Sequence, residues 1–426
     1  MGKPFESYVD ENHGDGNLFK QIRNFNIDMV ETLLFLASIV YERKEKNVKN
    51  AIDKIQKIQI ENTKSTTKDI RYLQDQLGEA ESSIKDQAIK WGLEFISITE
   101  LNSYGGPYAG MFWNTEKNFI VVTFKGTTST CFSEWLIDFL IQKIDARAYL
   151  YGRVHEGFYS TLFPKIDLDS SKVYYRRSPA LRLIEAIRGK AAEIKKCNRR
   201  TDPVSVWITG HSLGGGLATL FYTRLLKTPK TLGKNCILRD GFVFAAPVVG
   251  DDDFAANFAS QTNKPFESKQ TLWRVIAGND IVPHIVIGHH NPKLSHYITS
   301  IEALNYVHVG EEIKFNFVGS LPSSTRPIFK NENYFFIDET LEKFDRTNQI
   351  NQKKEPVKVN SDKTFYPLEK FYPSPFRNHL THRYFIALEK ARHHFEALEE
   401  SNFLDIIYCI YIFSIFNLLV KIAYKL

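Results

Sequence analysis

Val204–Leu226 reads VSVWITGHSLGGGLATLFYTRLL, and the order of its parts decides the fold. Val204 to Thr209 is a short apolar run with β-branched and aromatic side chains, the pattern of a buried strand. Gly210-His211-Ser212-Leu213-Gly214 follows, and Leu213 to Leu226 then continues with helical texture. A strand, a G-x-S-x-G and a helix in immediate succession predict a strained turn that lifts one hydroxyl above the edge of a sheet. Glycines on both sides of Ser212 let neighbouring backbone approach where a β-carbon would clash. The helix N-terminus places amide N–H groups near any negative charge that develops there. Ser212 is therefore the candidate nucleophile, and the amide of Leu213 a candidate oxyanion donor. His211 adjoins the nucleophile, but neighbours on a sharp turn point apart, so it is a poor candidate for the base.

Working outward, Phe119–Phe124 (FIVVTF), Gly241–Ala245 and Leu272–Ala277 are further short apolar runs, with helical stretches such as Leu181–Lys195 between them. Strands alternating with helices predict an α/β fold whose mostly parallel sheet is covered by helices on both faces. The main domain is expected over residues 84–400. Residues 1–83 read as a polar tail followed by a helical extension, in which Ile27–Tyr41 is an apolar helix packed on that domain. Residues 338–363, rich in Lys, Asn and Gln, read as a polar insertion. Residues 403–424 form an apolar C-terminal helix, long enough to be a borderline membrane segment and apolar all round rather than amphipathic.

Composition narrows the functional classes. With 426 residues, 43% hydrophobic and 24% charged, the chain has material for a sizeable core. The formal net charge of +6 is spread rather than blocked, which argues against a nucleic-acid partner and leaves only a weak pull toward anionic headgroups. Cys131, Cys197, Cys236 and Cys409 lie too far apart for metal-ligand spacing or a dense disulfide framework. Met1–Gly16 is polar and acidic and lacks the pattern of a signal peptide, so the catalytic domain is expected on the cytosolic side, membrane-associated through the C-terminal segment.

Four segments together resemble the fungal class 3 lipases, a triacylglycerol lipase-like family of α/β-hydrolases. They are Phe124-Lys125-Gly126-Thr127, Val154-His155-Glu156-Gly157-Phe158, the elbow from Gly210 to Gly215, and Gly278-Asn279-Asp280-Ile281-Val282-Pro283. The resemblance implies an α/β-hydrolase fold, a Ser-Asp-His triad, a hydrophobic acyl ester substrate, a mobile lid and no cofactor. It makes Asp280 the acid and places Thr127 at the oxyanion. Asp280 also lies just past the run LWRVIA, at a strand end where catalytic side chains converge. Asp251, Asp252 and Asp253 compete with it, but they look like the acidic start of a helix. The base falls in Phe376–Phe385 (FRNHLTHRYF), similar to the family's D-H-x-P-x-x-Y segment with Asn378 for Asp and Thr381 for Pro. That departure leaves His382 as the alternative to His379. His308 reads as a half-buried strand residue.

Phe132–Ile141 (FSEWLIDFLI) directly follows the oxyanion segment. As a helix it would place Phe132, Trp135, Leu136, Phe139 and Leu140 on one stripe with Glu134 and Asp138 opposite. Its position and the resemblance make it the expected lid. The reading is thus a serine lipase or esterase acting on glycerolipid acyl esters at a membrane or lipid-droplet surface. A phospholipase or short-chain carboxylesterase, and a silent hydrolase-fold binding protein, are the alternatives.

Overall fold

Alternation within each apolar run decides which helix every strand meets. In the computed structural model, described over residues 27–61, 64–101, 107–126, 142–164, 178–262, 270–284, 305–315, 323–324 and 377–391, eight strands form one sheet. In chain order these are β1 (Glu94–Glu100), β2 (Tyr108–Asn114), β3 (Phe119–Phe124), β6 (Val204–His211), β7 (Cys236–Phe244), β8 (Leu272–Ala277), β9 (Glu311–Phe315) and β10 (Ser323–Ser324). They lie side by side in that same order. β1, β2 and β3 pair antiparallel, β3 through β9 pair parallel, and β10 returns antiparallel. The short strands β4 (Lys143–Asp145) and β5 (Arg153–His155) form a separate ribbon.

Each parallel pair needs a crossover, and the crossovers cover one face. Ile120, Val122 and Phe124 of β3 and Val204, Val206 and Ile208 of β6 point to this side. They pack with α4 (Glu156–Leu162), α5 (Pro179–Asn198), α6 (Leu213–Lys227) and α7 (Asp252–Thr262). The intervening side chains, Phe119, Val121, Trp207, Phe242, Phe244, Trp273 and Val275, form a second apolar cluster. α1 (Ile27–Ile39), the C-terminal end of α3 (Thr67–Lys90) and the helix at 381–391 cover it.

α1 is buried along most of its length, the pattern of a core helix rather than a surface one. Hydroxyls of the sheet reach its backbone: Thr209 donates to Leu33 O at 3.3 Å, Thr123 to Leu36 O at 3.5 Å, and Tyr108 to Val40 O, just past the helix, at 2.8 Å. α2 (Glu45–Ile60) and α3 lie against each other, tied by Asn47 and Asn50 to Gln76 and by Lys54 to Asp69. Topology and elbow together make this an α/β-hydrolase fold.

Thr127, the expected lid at 132–141, the polar insertion at 338–363 and the apolar segment at 403–424 all lie outside the described residues. Among the described residues, no helix is long and apolar enough to cross a membrane.

Candidate active site

The strand ends set the site. β6 runs beside the end of β3, with Phe124 opposite Gly210, and beside the end of β7, with His211 opposite Phe244. The chain must then reverse into α6 within one residue. Ser212 takes that position at φ 59° and ψ −131°, a conformation that costs a non-glycine residue about 1–3 kcal/mol. Its amide donates to Phe244 O at 2.9 Å, and its carbonyl accepts from Gly215 and Gly216. Gly214 explains why the turn closes: a β-carbon there would sit 2.1 Å from Phe124 O. At Gly210 it would sit 2.4 Å from Gly214 O.

Asp280 is fully buried in the turn after β8. The Val282 amide donates to its Oδ1 at 3.0 Å, and the Tyr384 hydroxyl to its Oδ2 at 2.6 Å. His379 Nδ1 stands 3.1 Å from both carboxylate oxygens, and His379 Nε2 stands 2.8 Å from Ser212 Oγ. Since Asp280 accepts at Nδ1, that nitrogen carries the proton and Nε2 faces the hydroxyl as an acceptor. Burial alone would raise the carboxyl's pKa. The His379 charge and hydrogen bond, Tyr384 and the Val282 amide outweigh it and hold Asp280 below its ordinary value. Burial and the Asp280 charge push the Tyr384 phenol well up, so it remains a donor.

Of the two histidines in FRNHLTHRYF, the structure brings His379 to Ser212. His382 lies at the start of the 381–391 helix, half-buried. Asp251 caps α7, accepting from the Phe254 amide at 2.9 Å and from the Arg153 amide at 3.1 Å. This is the helix-start role its spacing suggests, away from the Ser212–His379–Asp280 array. His155 likewise caps α4, accepting from the Gly157 and Phe158 amides, and Phe158 closes on Gly216 of α6. His308 Nε2 donates to Pro283 O at 2.7 Å and so braces the acid loop. Burial pushes its pKa well below 6.5, which keeps the ring neutral.

Two further side chains join the site, His211 from within the elbow and Tyr41 from outside the motifs. His211 Nε2 lies 2.9 Å from His379 O, and Tyr41, just after α1, places its hydroxyl 3.3 Å from His211 Nδ1. The same hydroxyl accepts from the Gly126 amide at 3.1 Å. Lys125, only 1% exposed, pairs with Glu45 at the start of α2 and lies over the Tyr41 ring. Tyr384 had a signal in the sequence, since it closes the segment that carries His379. Tyr41 had none, because nothing in its neighbourhood distinguishes it from other residues of an apolar helix end.

The chain is similar to several known proteins. Residues 121–289 match the family described as lipase (class 3). Triacylglycerol lipase OBL1 of Arabidopsis thaliana is 26% identical over 184 residues, 40% of this chain and 34% of the relative. Phospholipase A1-IIgamma of the same plant is 29% identical over 150 residues, 33% of each chain. Phospholipase A1-II 7 of Oryza sativa subsp. indica is 31% identical over 183 residues, 38% of this chain and 40% of the relative. The chain therefore spans between a third and two-fifths of the curated relatives it matches. Among solved structures, a lipase from Rhizopus microsporus var. chinensis is 17% identical at a TM-score of 0.40, over 74% of this chain and 85% of that one. A Rhizomucor miehei lipase propeptide complex is 19% identical at the same TM-score, over 74% and 78%. The curated relatives are plant proteins, so the sequence likeness is to class 3 lipases broadly and not to their fungal members in particular.

Proposed function

We propose that the protein is a serine hydrolase that cleaves acyl esters of glycerolipids. One observation carries the reading: a hydroxyl on a strained strand-to-helix turn, an imidazole 2.8 Å from it, and a buried carboxylate on the imidazole's far side. In this reaction Ser212 Oγ attacks the ester carbonyl as its proton passes to His379 Nε2. Asp280 holds the Nδ1 tautomer and stabilises the imidazolium. The Leu213 amide opens α6, where the first donors have no intrahelical acceptor, and it faces the developing oxyanion. Thr127 is the proposed second donor, and losing one such donor typically costs a hundredfold or more in rate. The imidazolium returns its proton to the leaving alcohol. Water, deprotonated by His379, then releases the fatty acid from the acyl-serine.

The relatives include a triacylglycerol lipase and two phospholipases A1, so both neutral acylglycerols and phospholipids are in range as substrates. The sequence favours the former, with 132–141 as lid and 403–424 as the hold on a membrane or lipid-droplet surface, and with the catalytic domain facing the cytosol. The testing experiment is labelling by a fluorophosphonate probe, run beside fatty-acid release from triacylglycerol and phospholipid emulsions. Wild type and His382→Ala are expected to label, while Ser212→Ala and His379→Ala are expected not to. A wild type that stays unlabelled in the presence of lipid sinks the enzyme reading in favour of a silent binding protein.

A further inference from the structure

The hydroxyl of Tyr41 stands where three parts of the molecule meet. It follows α1, on the sheet face away from the crossover helices. It touches the amide of Gly126 just past β3, and both the ring and the carbonyl of His211 at the end of β6. His211 in turn reaches the backbone of His379 from the C-terminal part of the chain. Donor and acceptor roles follow from chemistry alone. The His379 carbonyl can only accept, so His211 Nε2 carries the proton. In a neutral imidazole Nδ1 must then accept, and the phenol O–H faces two acceptors of the same residue, His211 Nδ1 and His211 O, each at 3.3 Å. With its single proton directed at His211, the phenol oxygen accepts from the Gly126 N–H at 3.1 Å. His211 is buried, and burial with the adjacent His379 pushes its pKa down to about 3. The one-way chain Gly126 N–H to Tyr41, Tyr41 to His211, and His211 to His379 O therefore persists through the neutral range.

Local packing holds the phenol in place. The His211 ring lies 4.9 Å from the His379 ring and edge-on to Tyr41 at 6.0 Å. A β-carbon on Gly126 would come 2.7 Å from the Tyr41 oxygen and 2.8 Å from His211 O, so this junction has no spare room. The Lys125–Glu45 pair closes the same corner, with Lys125 Nζ over the Tyr41 ring.

We propose that Tyr41 is a positioning residue of the catalytic centre, whose hydroxyl sets the backbone of the base through His211 and the segment beside the nucleophile through Gly126. This rests on the hydrolase reading above and adds to it that the N-terminal helical extension takes part in catalysis without touching substrate. Displacing a catalytic group by about 1 Å can cost on the order of a hundredfold in rate while substrate contacts survive.

The test uses the full chain carrying Tyr41→Phe, which keeps the ring and removes only the hydroxyl, beside the pair His211→Gln and His211→Leu. Glutamine can still offer an N–H to His379 O, and leucine cannot. Hydrolysis of p-nitrophenyl butyrate and the rate of fluorophosphonate labelling are read on the soluble folded fraction. Tyr41→Phe is expected to lower kcat and the labelling rate together, roughly ten- to hundredfold, with KM within about twofold. His211→Gln is expected to exceed His211→Leu by roughly tenfold or more. If Tyr41→Phe labels at the wild-type rate, or if the glutamine variant is no better than the leucine variant, the positioning role is overturned. Should Tyr41→Phe fail to fold, the His211 pair alone decides. Absence of labelling in wild type would instead remove the hydrolase reading, so the two failures are distinct.

Discussion

The two faces of the sheet are covered by helices of different origin. On one side α5 leads into β6 within a few residues, and α6 leaves β6 directly and leads on to β7. On the other side α1 and the helix at 381–391 come from parts of the chain more than 340 positions apart, yet they bury one shared apolar cluster with Trp207, Phe242 and Trp273. The first arrangement is local and supplies Ser212 at the head of α6. The second is long-range and supplies His379, the Tyr384 support of Asp280 and the Tyr41 hydroxyl. A site of this design thus places its serine early in the hierarchy of structure and that serine's partners only when the far face closes.

Core truncations on the two faces should break this comparison most directly if it is wrong. Leu183→Ala in α5 and Leu33→Ala in α1 each remove a fully buried side chain and should each cost about 2–5 kcal/mol in denaturant unfolding. At a temperature where both variants remain folded, only Leu33→Ala should lose kcat, because Tyr41 follows α1 directly. Equal kcat losses, or none from Leu33→Ala, would show the faces to be functionally equivalent.

Tyr384→Phe sharpens the same point within the far face. It deletes a 2.6 Å hydrogen bond to a buried carboxylate, a contact whose removal costs about 1.5–3 kcal/mol when the partner is charged. Activity should fall by roughly tenfold or more by that measure. Because Tyr384 helps to hold Asp280 low, its loss should also move the acid limb of the activity profile to higher pH. An unmoved limb would mean that the phenol only fills space.

The effect least tied to activity is on stability against pH. His211 is held down to about 3 in the fold against 6.5 for the free side chain. Between those values the unfolded chain binds a proton that the native one does not. The contribution is therefore complete above about pH 6.5 and is lost as pH falls toward 3, at up to about 1.4 kcal/mol per pH unit. His211→Gln should flatten this part of the curve, while His308, shifted in the same direction, leaves a residual slope. An unchanged slope in His211→Gln would show that His211 is not held neutral in the fold.

Local chemistry explains which features could be read in advance. The elbow was legible because strand, glycines and helix N-terminus are consecutive in the chain and each obeys short-range steric rules. Alternation in Phe119–Phe124 and Val204–Thr209 made the strands legible for the same reason. Asp280 could be singled out because it lies just past a strand end and its segment, Gly278 to Pro283, resembles the acid loop of class 3 lipases. The choice between His379 and His382 could not be made locally. The two are three positions apart, and which ring meets Ser212 depends on how the 381–391 helix seats against Phe244 and α1. Asp251 shows the reverse case, since its place at a helix start sufficed to predict its capping role.

From its sequence alone, then, this protein has its class of fold, its strained serine and the residue types for acyl transfer, since these depend on contacts between near neighbours. Only the tertiary structure decides that His379 faces Ser212, that Tyr384 supports Asp280, and that Tyr41 and His211 reach the base's backbone. Those contacts join residues that no local rule relates, and they exist because burying α1 and the 381–391 helix on one sheet face brings both to the same strand ends.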